Sequence, residues 1–136
     1  MTRPADVPED VLAGLRAICT RLPEVHEQPA WVGVRWRVRA HTFAHVLVTA
    51  GGRPAAHVRA SGVDGGCLLV FRAEGVELDV LRRTGPPFFR APWGEDVVGM
   101  VLGADVDWAE VGELLTDSYC VRAPRRLAAL VDRPPG

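Results

Sequence analysis

The sequence predicts an α+β fold of two layers, an antiparallel β-sheet with helices packed on one face, in an α-β(3)-α-β(2)-α-like order. Three observations carry this. Residues 32–39 alternate apolar side chains with arginine, the period of a strand that buries one face. Val11, Leu15, Ile18 and Leu22 recur at helical spacing. The connections between strand-like runs are short, as antiparallel pairing requires.

In chain order, Asp6 and Glu9 have the spacing of a capping box, and Pro8 suits a first turn, so a helix is predicted over 7–21, ending at Leu22-Pro23. Residues 23–29 read as a polar connection. Val32, Val34, Trp36 and Val38 then face one side of a strand, with Arg35, Arg37 and Arg39 on the other. Ala40-His41 is a turn into a second strand over 42–49. The stretch 50–66 is rich in Gly and Ala and reads as a loop, with a short strand conceivable at 56–59. Cys67–Arg72 is an apolar run of strand length, and Glu74–Arg83 supplies Val76, Leu78, Val80 and Leu81 for a short helix. After Gly85-Pro86-Pro87, Phe88 and Phe89 begin a short strand or aromatic turn, and Val97–Leu102 is the last strand. Asp107 can cap a helix with Glu110 at its third position, burying Trp108, Val111, Leu115 and Ser118 along one face. Pro124 opens a final helix running to about Val131.

The 136 residues make one domain, 1–136, large enough for a core without staples. Net charge is −1, so any contact with nucleic acid must come from a local patch rather than bulk charge. All 16 basic side chains are arginine, which excludes Schiff-base chemistry on lysine and suits bidentate contacts to carboxylate or phosphate; a GC-rich coding bias gives the same composition. The first residues lack the apolar region of a signal peptide, and no apolar run approaches the roughly 18 residues that span a bilayer. A cytoplasmic protein with no membrane contact is expected. Cys19, Cys67 and Cys120 are widely spaced among apolar neighbours and read as reduced core thiols.

Few residues suggest chemistry. His41 and His45, four apart on extended chain, would sit about 13 Å from each other; with His26 and His57 isolated, no metal is expected. Glu95 and Asp96 would face opposite sides of a strand and make a poor acid/base pair. Ser118-Tyr119-Cys120 lies late in a helix with no nearby histidine and reads as packing. The paired glycines lack the order of a phosphate loop. No cofactor and no catalytic constellation is apparent, so the chain is expected not to be an enzyme. What stands out is the arginine row: Arg35, Arg37 and Arg39 on one strand face, joined by Arg72 and Arg90 if their strands are adjacent. Like charges in such a row repel unless solvated or paired. Trp31 and Trp93 fall outside core periodicity and are candidates for exposure.

Leu22-Pro23-Glu24-Val25, Trp36-Arg37-Val38-Arg39 leading to Phe43-Ala44, Phe88-Phe89 before Pro92, and Leu114-Leu115 through Ala123-Pro124-Arg125-Arg126-Leu127-Ala128 follow one another in an order and spacing that resemble the MmcQ/YjbR family, in the form typical of actinobacteria. The resemblance covers most of the chain. It implies a fold similar to the CyaY-like and secretion-chaperone-like folds and a DNA-binding role. The sequence departs from the family pattern where Trp93, Val97 and Val98 stand in place of the usual His or Lys, Tyr and Pro.

Two functions follow as expectations. One is a non-enzymatic, monomeric module that binds duplex DNA weakly and without sequence preference, through Arg35, Arg37, Arg39, Arg72 and Arg90 with Trp93 beside them. Phosphate contacts from four of these, Arg35, Arg37, Arg39 and Arg90, would give a slope of log K against log salt of roughly −3.6. The other is a small protein-interaction or chaperone-like domain that uses the open sheet face.

Overall fold

The computed structural model describes residues 7–91 and 93–131. Along the chain lie α1 (Glu9–Cys19), β1 (Val25–Pro29), β2 (Val34–Val38), β3 (His41–Val48), α2 (Ala55–Ser61), β4 (Cys67–Arg72), α3 (Gly75–Thr84), β5 (Phe88–Arg90), β6 (Val97–Leu102), α4 (Trp108–Arg122) and α5 (Arg125–Ala128). The six strands form one sheet in the order β1-β2-β3-β4-β6-β5, and each neighbouring pair is antiparallel. The α+β class is the one predicted.

The period of two in β2 sets the layers. Val34, Trp36 and Val38 are fully buried with Phe43, Ala44 and Val46 of β3 and with Leu69 and Phe71 of β4. Over them lies α4, which contributes Val111, Leu115 and Tyr119, with Val11, Leu12 and Leu15 of α1 beside it. The two helices approach so closely that a Cβ at Gly14 would meet the Trp108 ring at 2.4 Å. Asp107 does cap α4, its carboxylate accepting from the Glu110 amide at 3.2 Å. Polar groups that enter this layer are matched. The Trp36 indole donates to Glu27 at 3.1 Å, and Arg16 holds the same carboxylate at 2.9 Å. Ser118 donates to the Phe43 carbonyl at 2.6 Å and accepts from the Arg72 amide at 2.8 Å, tying α4 to two strands. Tyr119 packs edge-on against Phe43, and its hydroxyl reaches the Pro23 carbonyl at 2.7 Å.

Several local expectations are corrected. Residues 25–29 are not a connection but the edge strand β1, whose polar sequence and terminal Pro29 are tolerated because one edge needs no ladder partner. The 50–66 stretch contains α2 rather than a strand; Gly62 ends it in the left-handed conformation, φ 73°. This helix folds onto the second sheet face, where Leu47 and Leu68 are fully buried, so that face is only partly open. In α1 the position before the helix is Pro8, without a side-chain cap; Asp6, the other half of the expected capping box, lies outside the described residues. Cys19 and Cys67 are buried as expected, and burial pushes both thiols up, Cys67 to about 11. Cys120 is only partly buried.

Candidate anion-binding face

On the second face the strand register sets Gln28 beside Arg35, Arg35 beside His45 and His45 beside Val70. The sequence row survives in part. Arg35 and Arg37 do project together from β2, opposite the buried Trp36, and both are half-buried. Their guanidinium groups share one neutral acceptor, Gln28 Oε1, at 3.2 Å from Arg35 and 3.5 Å from Arg37, and Arg37 also donates to the Ala40 carbonyl. Among the described residues neither is ion-paired with a carboxylate, and the Nε of each is buried without a hydrogen-bond partner.

The other arginines of the expected row are placed elsewhere. Arg39 lies past the end of β2 in a left-handed conformation, φ 55°, which turns it out of the row and into an ion pair with Glu24 at 3.0 Å. Arg72 is on the strand next to β3, but Asp96 holds it at 3.1 Å and Arg122 binds the same carboxylate at 2.7 Å. Arg90 is exposed on β5, four strand spacings from β2, or about 19 Å. The chain therefore brings together two arginines, not five.

Trp93 joins them by a route that spacing does not reveal. Its ring stacks at a tilt on His57 of α2, with centroids 4.3 Å apart and planes at 34°. His57 in turn meets His45 edge-on at 6.3 Å, and His45 is the register partner of Arg35. A pocket of about 240 Å³ opens between Thr42, His45, His57, Val70, Arg72 and Trp93. The His45 Nε2 hydrogen bond to the Val32 carbonyl fixes the proton on that nitrogen, since a carbonyl can only accept. Burial holds His45 below the usual histidine value against that bond, and the Arg35 charge adds to the lowering. Burial, then the charge of His45, push His57 down to about 4, and its Nδ1 is buried without a partner. Trp31 and Trp93 are the exposed tryptophans, 82% and 45% accessible.

A small antiparallel α+β domain, with one face closed by helices and the other carrying two arginines without counter-ions among the described residues, is the class these features define. The YjbR family model matches residues 20–121, and the chain belongs to the YjbR family. The matched span includes Arg35, Arg37, His45, His57 and Trp93. Among solved structures the chain is similar to the crystal structure of Deinococcus radiodurans protein DR2400, described with the domain DUF419, at 21% identity over 92% of each chain with a TM-score of 0.61. That likeness is one of fold. No curated protein matches the chain. No described helix is long and apolar enough to cross a membrane.

Proposed function

We propose that this protein is a non-enzymatic, monomeric, cytoplasmic DNA-binding module that holds backbone phosphates on Arg35 and Arg37, using neither metal nor cofactor. One observation carries the reading: two half-buried guanidinium groups, side by side on one strand, have no carboxylate among the described residues and leave both Nε–H groups unused. Partly desolvated arginine without a counter-ion is costly unless an anion completes it. Phosphate suits the planar fork of arginine. Such contacts fix position without reading bases, so binding is weak and sequence-tolerant.

Arg39 already neutralises Glu24 and Arg90 lies on the far edge strand, so the four expected phosphate contacts narrow to two, Arg35 and Arg37; Arg72, the further arginine of the expected face, is held by Asp96. Fluorescence anisotropy with a labelled random duplex across a salt series tests it. Two contacts give a slope of log K against log salt of about −1.8, and Arg37→Ala makes it shallower by about 0.9. Absence of binding at low salt, or binding indifferent to the double Arg35→Ala, Arg37→Ala change, would favour the alternative of a protein-interaction surface. That alternative has less support, because Leu47 and Leu68, two apolar residues of this face, are already covered.

A further inference from the structure

We infer that the pocket beside the arginine pair receives one unpaired base, so that the preferred ligand is a single nucleic-acid strand rather than a duplex. The inference rests on the phosphate reading of Arg35 and Arg37 and adds a second, independent group of residues to it. Trp93 is backed on one side by the His57 ring and remains 45% accessible, which is the arrangement of a stacking platform whose ring is held at a fixed angle. Beneath it the pocket has an apolar floor in Val70 and Val97. Its volume of about 240 Å³ is below the roughly 300–1,000 Å³ of drug-sized sites, which suits one planar ring.

The position relative to the arginines matters as much as the pocket. Arg35, His45, His57 and Trp93 form a continuous line along one face, through one register pair and two ring contacts. A strand whose phosphates lie on Arg35 and Arg37 can turn its next base toward Trp93. A duplex cannot do so without breaking a base pair, because its bases are stacked inside. Stacking on an aromatic side chain tolerates any base, so the preference is for strandedness and not for sequence.

Anisotropy with a labelled oligothymidine strand and a labelled random duplex, at one low salt concentration, separates this inference from the reading beneath it. The single strand should bind about 5- to 150-fold more tightly than the duplex, the range that one stacked base supplies. Trp93→Ala should erase that difference and leave duplex affinity and its salt slope unchanged, while Trp93→Phe should retain most of it. Circular dichroism confirms that each variant is folded. Equal affinity for the two ligands, or a strand preference that survives Trp93→Ala, overturns the inference and leaves the phosphate reading standing. Loss of duplex binding in Trp93→Ala also overturns it, since the ring would then be supporting the arginines. Failure of the unaltered protein to bind the duplex overturns the phosphate reading itself.

Discussion

The two faces of the sheet treat polar groups in opposite ways. On the helix-covered face each polar group described above is committed: Trp36 to Glu27, Glu27 to Arg16, Ser118 to two strands, Tyr119 to Pro23. On the second face lie all three buried side-chain nitrogens that lack a partner among the described residues, in Arg35, Arg37 and His57. Buried polar atoms in native proteins are nearly always satisfied, and this cluster of exceptions is the observation on which the proposed phosphate binding rests. One face carries the packing that specifies the structure, and the other carries the proposed phosphate site.

Substitutions should therefore divide by face, and the largest effect belongs to the covered one. Trp36→Ala removes a fully buried side chain from the middle of the core and should cost about 3–5 kcal/mol in chemical denaturation. Next comes Ser118→Ala, which strands the Phe43 carbonyl and the Arg72 amide in a buried setting and should cost about 1–3 kcal/mol. By contrast, Arg35→Met or Arg37→Met removes a poorly compensated charge and should leave stability within about 1 kcal/mol of the unaltered protein, or above it. A loss from the arginine changes as large as that from Ser118→Ala would erase the distinction between the faces.

Acid sharpens the same contrast. His57 is held down to about 4, whereas in the unfolded chain it titrates near the ordinary value of about 6.5. Between those values the unfolded chain takes up a proton that the folded chain refuses, so stability falls as pH drops from about 6.5 toward 4 and this contribution levels off below. His45 is shifted in the same direction. Glu27 follows the same sign at lower pH: its hydrogen bonds from Arg16 hold its carboxyl below the ordinary value, so its contribution is present above about 4.5 and is lost only as pH falls further. The second face should thus weaken before the covered one. Thermal midpoints followed by circular dichroism from pH 7 to 3 should show two stages of loss, and His57→Phe should reduce the upper one.

How much of this was legible depends on whether the determining contacts are local. β4 and β6 fall on the residues predicted, because a bounded apolar run states its own limits. The inward Trp36 and outward Arg37 follow from alternation alone. β1 was not legible, since Val25–Pro29 lacks alternation and is held by its partner strand. Nor was α2, seven residues with none fully buried, too short for propensity to declare. Within the site, the arginine row could be read as far as Arg37. The turn that diverts Arg39 needs its backbone dihedral, and the remoteness of Arg90 needs the strand order. The chain of contacts from His45 through His57 to Trp93 joins residues far apart in sequence, and no spacing rule announces it.

The unused Nε–H groups of Arg35 and Arg37 are the centre of this account, and they can be watched directly. In ¹⁵N-labelled protein each arginine Nε–H gives its own NMR signal, assignable with the single Arg→Ala variants. Added duplex DNA at low salt should shift the Arg35 and Arg37 signals together and saturably, and leave those of Arg39, Arg72 and Arg90 in place. Signals from Arg35 and Arg37 that stay still while DNA binds, or that move no more than those of Arg39 and Arg90, would contradict it.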